Sequence, residues 1–243
     1  MRFLTHSISR TGGREVNQDA AEHCAAGDLA CWVLADGLGG HGSGEEASRL
    51  AAAAVMEAFR AQAECSPSAL LAYIGFARNA VLKRQEENAI FSGMRTTLVI
   101  LVSDMRQALW AHVGDTRLYL FRDGQLARQT LDHSVPQAMV DARQLDAVGI
   151  RHHEDRNRLL RSIGGREEVR ATIEETPHPL RPGDAFLLCS DGFWEYVTET
   201  AMEVDLAKSA APAEWLRYME LRIRADAPAD QDNYSAVAIF AAP

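Results

Sequence analysis

Cysteine is sparse in this chain. Cys24, Cys31, Cys65 and Cys189 are the only four in 243 residues, and no two form a CxxC pair or show zinc-ligand spacing. A disulfide framework and a structural zinc are therefore not expected, and reduced, mostly buried thiols are. Long apolar runs are missing too. The longest stretches, Leu50–Met56 and Leu98–Val102, fall far short of the roughly 20 residues needed to span a bilayer. The opening MRFLTHSISR carries no apolar run behind its basic residue, so no secretory signal or membrane anchor is expected and the cytoplasm is the expected location. Positive charge is short as well: 25 Lys and Arg face 34 Asp and Glu, a formal net charge of −9. That balance disfavours nonspecific binding to nucleic acid or anionic membrane. No repeat, low-complexity tract or Pro/Gly/Ser-rich linker divides the sequence, so one domain over residues 1–243 is expected. The 47% of apolar residues can fill a proper core.

The chain alternates short apolar runs with amphipathic ones. Cys31–Leu34 reads as a strand ending at Asp36-Gly37. Gly44–Ala63 and Ala69–Asn88 read as helices, the second announced by Ser66-Pro67-Ser68. Thr96–Ser103, Gln107–Val113 and Arg117–Arg122 are β-branched and apolar enough for strands, and Asp123-Gly124 is a hairpin turn into Gln125–Thr130. Ser134–Gly164 is polar apart from a short helical piece near Val135–Leu145, which suggests an exposed insertion. Strands near Val169–Glu175 and Asp184–Ser190, helices near Thr200–Ser209 and Pro212–Asp226, and a strand Tyr234–Phe240 complete the pattern. About nine strands with two early and two late helices predict an antiparallel β-sandwich with helices on each side.

Aspartates recur where apolar strands give way to turn-formers. They are Asp36 in VLADGLGG, Asp115 in HVGDTRLYL, Asp191 in LLCSDGFWEY and Asp232 in DQDNYSAVAIF, joined by Asp19 in REVNQDA. One strand-end Asp-Gly is ordinarily a turn. Four, on four strands, are better explained by strand ends converging on one rim of a sandwich. Carboxylates gathered there repel one another unless protonated or bound to cations. An oxygen-only set without His or Cys favours hard ions such as Mg²⁺ or Mn²⁺.

From Gly12 to Phe240 the chain resembles the protein phosphatase 2C (PPM) family. The resemblance is carried in order by RxxNQDA (14–20), ADGLGGHGxGExAS (35–48), TTL (96–98), VGDTRLYLFRDG (113–124), DHS (132–134), RNRLLRSIGG (156–165), GDAFLLCSDGFWE (183–195) and DNYSAV (232–237). It implies an α+β fold, a four-layer αββα sandwich of two antiparallel sheets flanked by helices, with a metal site at one end. It implies hydrolysis of phosphoserine and phosphothreonine by water activated between Mn²⁺ or Mg²⁺ ions, two with a possible third. Under it Asp36 bridges two metals, Asp191 and Asp232 complete the first site, and the Gly37 carbonyl ligates the second. Gln18 stands where many relatives carry Glu, Asp19 orients water, Asp115 belongs to a third, weaker site, and Arg14 holds the substrate phosphate. His41 is a candidate for proton transfer. Leu38 stands where eukaryotic relatives have a histidine proposed as general acid, so the leaving-group donor is unassigned.

One departure from the family pattern and one further match bear on specificity. Arg95 replaces the glycine of the family's Gly-Thr-Thr, and Val135–Asn157 matches the flap, a segment beside the cleft that influences substrate choice. A cysteine-based phosphatase is excluded by sequence, since the positions six after each cysteine are Ala30, Gly37, Leu71 and Glu195 rather than Arg. His152-His153 reads as a solvated face and Cys189 as a buried strand residue. The expected partners are phosphorylated proteins, substrates of a cognate bacterial Ser/Thr kinase, met by a monomer; the compact form resembles phosphatases that accompany type VI secretion. The alternatives are a non-catalytic phosphopeptide-binding scaffold and a hydrolase of small phosphate esters.

Overall fold

The computed structural model describes residues 1–39, 43–165 and 169–243. In chain order the strands are β1 (Arg2–Arg10), β2 (Asp19–Ala26), β3 (Leu29–Leu38), β4 (Arg95–Thr96), β5 (Leu98–Ser103), β6 (Gln107–Val113), β7 (Arg117–Arg122), β8 (Gln125–Gln129), β9 (Thr172–Ile173), β10 (His178–Pro179), β11 (Ala185–Cys189) and β12 (Tyr234–Ala242). The helices are α1 (Ser43–Ala61), α2 (Pro67–Glu87), α3 (Val135–Asp141), α4 (Asp191–Trp194), α5 (Glu199–Ala207) and α6 (Pro212–Asp226). None of the described helices is long and apolar enough to cross a membrane.

Two antiparallel sheets form. One runs β1-β12-β11-β7-β8; the other runs β10-β6-β5-β3-β2, with β4 added to β3 and β9 to β6. Three apolar layers hold the stack. Trp32, Leu34, Leu101, Leu120, Leu188 and Ile239 fill the space between the sheets. Cys31, Val33, Ile100 and Val102, on the opposite faces of β3 and β5, meet Ala51, Val55, Phe59, Leu70 and Ile74 of α1 and α2. Tyr119, Leu187, Cys189 and Ala238 meet Met202, Trp215, Leu216 and Met219 of α5 and α6. The central strands are therefore continuous apolar runs rather than alternating ones, because both their faces are covered. This is the αββα sandwich the sequence predicts.

Local signals explain where elements begin. Ser66 caps α2, its Oγ accepting from the Ala69 N–H at 3.1 Å, with Pro67 at the first helical position. Asp123 and Gly124 both take positive φ (53° and 77°), as a two-residue hairpin between β7 and β8 requires.

Several expectations need correction. β1 and β2 carry no strand signal in the sequence, since each lies at a sheet edge, β1 being mostly polar and β2 rich in alanine rather than β-branched residues. The strand expected over Val169–Glu175 is only Thr172–Ile173. The segment 134–164 is not simply exposed. α3 ends at Asp141 rather than near Leu145, and Ile150 is 3% exposed within the layer beneath α5 and α6, alongside Val140 and Leu145. Ile163 is fully buried against α1 and α2.

Candidate active site

The ends of β3, β6, β11 and β12 open onto one pocket of about 580 Å³, lined by Arg14, Gln18, Asp36, Gly37, Asp115, Asp191 and Asp232 among others. Backbone geometry explains how residues so distant in sequence meet there. β3 continues past Asp36 because Gly37 and Leu38 pair with Thr96 and Arg95. Asp36 is gripped on both sides of its peptide: its N–H donates to Thr97 Oγ1 (3.0 Å), and its carbonyl accepts from Thr97 N–H and Thr96 Oγ1 (2.8 Å each). Gly37 has no room for a side chain, as a Cβ there would lie 2.0 Å from the Gly44 carbonyl oxygen. Asp19 faces Asp36 across the β2–β3 ladder.

Asn233 ties the two ends of the chain together. Its Oδ1 accepts from the Gln18 N–H (2.8 Å), and its Nδ2 donates to the carbonyls of Thr11 (2.8 Å) and Val16 (3.0 Å). The neighbouring Asp232 accepts from its own successor's N–H at Oδ1 (2.8 Å) and from Arg14 Nη2 at Oδ2 (3.0 Å). Asp191 opens α4, with its Oδ1 accepting from the Gly192 N–H at 2.6 Å. Gly192 is again forced, since a Cβ would sit 2.2 Å from the Asn233 carbonyl oxygen. Asp115 is held through its backbone: Trp194 Nε1 donates to its carbonyl (2.9 Å), and the preceding Gly114 donates to His133 Nδ1 (3.1 Å) and accepts from the His133 N–H (2.9 Å). The Arg117 guanidinium lies 3.5 Å from the Trp194 ring and binds Asp132 through two hydrogen bonds of 2.7 and 2.8 Å. Asn233, His133 and Trp194 were not picked out individually from the sequence; a polar residue flanking a site aspartate was the available signal.

The electrostatics are lopsided. Burial pushes Asp19 up to about 7, with Asp191 and Asp232 adding repulsion against hydrogen bonds from serines. Burial likewise pushes Asp191 up to about 7, with Glu195 and Asp232 contributing. Asp36 and Asp115 are raised well above the usual carboxylate range, by burial first and then by neighbouring aspartates. One atom of this group, Asp19 Oδ1, is buried with no hydrogen-bond partner. Oxygen donors without His or Cys, mutually raised carboxylates and an orphaned buried oxygen together fit hard divalent cations. Among the described residues no three His, Cys, Asp or Glu side chains are gathered closely enough to hold a metal ion as they stand; Arg14 engages one of the site carboxylates, Asp232. Gln18 donates through Nε2 to the Gly39 carbonyl (3.0 Å), which leaves its Oε1 beside Gly44 at the start of α1. His41, the candidate for proton transfer, lies outside the described residues.

With two antiparallel sheets, covering helices and an aspartate-lined pocket at their strand ends, the chain belongs to the protein phosphatase 2C family, whose pattern spans residues 9–227. It is 34% identical over 211 residues to the serine/threonine protein phosphatase PstP of Mycobacterium tuberculosis, covering 84% of this chain and 39% of that one. Against the serine/threonine phosphatase stp of Listeria welshimeri it is 32% identical over 182 residues, covering 73% and 71%. The chain thus spans about two fifths of the length of PstP. The crystal structure of M. tuberculosis PstP/Ppp superposes with a TM-score of 0.84 at 30% identity over 99% of both chains. A PstP catalytic domain in complex with two manganese ions gives 0.81 at 28% over 98% and 97%. PppA, a key regulatory component of type VI secretion in Pseudomonas aeruginosa, gives 0.74 at 28% over 99% and 98%.

Proposed function

We propose that this chain is a metal-dependent phosphatase of phosphoserine and phosphothreonine in proteins. The observation that carries the proposal is the meeting of Asp36, Asp115, Asp191, Asp232 and Arg14 in one pocket. Asp36, Asp191 and Asp232, with the Gly37 carbonyl, would hold two Mn²⁺ or Mg²⁺ ions, and Asp115 with Asp191 a third. Bound there, such ions acidify water toward neutral pH and offset phosphoryl charge. A PstP relative is described with two manganese ions, which supports that reading.

The protein's own groups supply the rest. Arg14 has a half-exposed side chain at the pocket rim, and its fork can take two phosphate oxygens once it lets go of Asp232. Asp19 can accept a hydrogen bond from the attacking water at Oδ1, the atom without a protein partner. The Thr96 and Thr97 hydroxyls fix the backbone of Asp36, and Asn233, clasped to the Thr11 and Val16 carbonyls, anchors the chain next to Asp232, so the carboxylates are positioned before substrate arrives. No cysteine lines the pocket. Burial pushes the Cys65 thiol up to about 12 and Cys189 higher still, so neither is a thiolate nucleophile at neutral pH. Water is therefore the nucleophile, and no phosphoenzyme forms.

The substrates we assign are phosphorylated proteins of a cognate bacterial Ser/Thr kinase, and the protein acts as a monomer in the cytoplasm. The likeness to PppA supports a setting in type VI secretion. The test is turnover of an aryl phosphate and a phosphopeptide by chelator-treated protein before and after Mn²⁺ addition. Activity is expected only with the ion; full activity in excess chelator would overturn the proposal. A preference for free phosphorylated metabolites over phosphopeptides would favour the small-ester reading.

A further inference from the structure

We propose that a groove beside the catalytic pocket is an anion-reading subsite, in which Arg95, Arg161 and Arg170 bind a carboxylate or a second phosphate carried by the substrate polypeptide near its phosphoresidue. The inference rests on the phosphatase reading above and names the class of protein substrate it prefers.

The groove has a volume of about 730 Å³, and its lining contains these three arginines, Gln85, Ser92 and Ser162 but no Asp or Glu among the described residues. It shares two walls with the catalytic pocket. Leu38, at that pocket's edge, pairs with Arg95 in the β3–β4 ladder. Leu159 lines the pocket and the next residue, Leu160, lines the groove. A polypeptide whose phosphoresidue sits over the aspartates can therefore run on into the neighbouring groove that the arginines line.

The floor is firmly built. Gln85 Nε2 donates to the carbonyls of Met94 (2.8 Å) and Gly164 (2.9 Å), and Thr96 and Ile163 exchange two backbone hydrogen bonds (3.0 and 2.8 Å). Arg161 is anchored through Nη1 alone, which donates to the Arg170 carbonyl (3.1 Å) and lies 3.1 Å from His133 Nε2, leaving the rest of its guanidinium for a ligand.

Charge points the same way. None of the three arginines forms an ion pair among the described residues, in a protein whose net charge is −9. Most other arginines near the site, Arg14, Arg117, Arg151 and Arg156, are already matched to carboxylates. Three guanidiniums lining one groove without a carboxylate partner repel one another, and an anion that enters among them relieves the repulsion. Arg95 stands where the family resemblance implies glycine, so this chain places a guanidinium where a typical relative has none. Residues 166–168 lie outside the described residues.

The experiment uses matched phosphopeptides that carry a neutral residue, Asp or Glu, or a second phosphoserine at successive positions on either side of the phosphoresidue. Binding to metal-free protein is read by fluorescence anisotropy, and turnover is read with Mn²⁺ beside an aryl phosphate too small to reach the groove. We expect acidic or doubly phosphorylated peptides to be favoured about three- to thirtyfold, mainly in Kd and KM, with the preference shrinking as salt is added. The Asp/Glu and diphosphopeptide arms tell which anion is read. Arg95→Gly and Arg170→Gln should each erase part of the preference while aryl phosphate turnover and melting temperature stay unchanged. Arg170→Gln serves as the second variant should Arg95→Gly disturb the β4 backbone. No preference in the wild type, or an equal preference in the double variant, overturns the subsite. Intact peptide preference with no Mn²⁺-dependent turnover counts against the phosphatase reading alone.

Discussion

Replacing Asp191 by Asn should stabilise the metal-free protein while removing its response to Mn²⁺. Asp191 titrates near 7 in the fold, against 3.8 for the free side chain, because burial and then Glu195 and Asp232 disfavour its charge. Each unit of that difference corresponds to about 1.4 kcal/mol, so an ionised Asp191 costs the fold at most about 4 kcal/mol. The side chain is half-buried and its neighbours titrate with it, which reduces the expected gain to about 1–3 kcal/mol. Asparagine keeps Oδ1 as acceptor for the Gly192 N–H, and its new amide can donate to the Asp36 carboxyl, which already lies within hydrogen-bonding reach. The sign follows from proton counting. Below pH 3.8 the carboxyl is protonated in folded and unfolded chains alike, and the substitution gains nothing. Between 3.8 and about 7 the folded wild type holds a proton that the unfolded chain has released, so wild-type stability falls as pH rises and the advantage of Asn grows. Above that range the advantage is level. Calorimetry in chelator at about pH 8 should show melting raised by roughly 2–10 °C, shrinking toward about pH 5. Added Mn²⁺ should raise the wild-type melting point and leave the variant's unchanged. A variant less stable than wild type in chelator at the higher pH, or a gain that grows on acidification, would refute the reasoning.

Other expectations follow from the same pocket. Asp36→Ala and Asp232→Ala should each nearly abolish turnover in folded protein, whereas Asp115→Ala should weaken it less; an Asp36→Ala enzyme keeping more than about a tenth of wild-type turnover, roughly 1.4 kcal/mol of barrier, would displace Asp36 from the centre. Arg14→Ala should lower kcat/KM by about ten- to a thousandfold with Arg14→Lys recovering part. Its melting temperature should hardly move, because the Arg14–Asp232 pair is exposed (54% and 39%). Ile150→Ala should cost about 2–4 kcal/mol in denaturant unfolding, since this flap residue is packed under α5 and α6. A loss below about 0.5 kcal/mol would restore the view of the flap as a solvated insertion.

The interior strands were the legible part of the fold. β3, β6, β11 and β12 are largely apolar on both faces, so any window across them shows a run, and each run points to the aspartate at its end. The edge strands were illegible for the opposite reason. β1 reads RFLTHSISR and β2 DAAEHCAA, and both gain their structure from a neighbour's ladder rather than from their own side chains. The flap reads as polar because three scattered apolar residues, Val140, Leu145 and Ile150, rather than a periodic face, anchor it. In the site, the carboxylates announced themselves by repetition at strand ends. Asn233 did not, because its importance lies in two carbonyls more than two hundred positions away, which no local window contains.

That long-range tie governs when the site can exist during synthesis. β1 pairs with β12 from Arg2↔Ala242 to Arg10↔Tyr234, and Asn233, at the threshold of β12, clasps the loop that carries Arg14. A ribosome-bound chain still lacking residues 228–243 has an open sheet edge along β1 and β11, no Asp232 and no Asn233 clasp. Closing so long a loop is the slow, entropically costly part of folding such a topology. If the proposed function holds, the nascent chain has no complete site to offer a substrate until β12 docks. The same geometry makes the protein divisible: under the proposed function a chain ending before residue 228 should be inert, and a synthetic peptide carrying residues 228–243 should switch it on by strand addition.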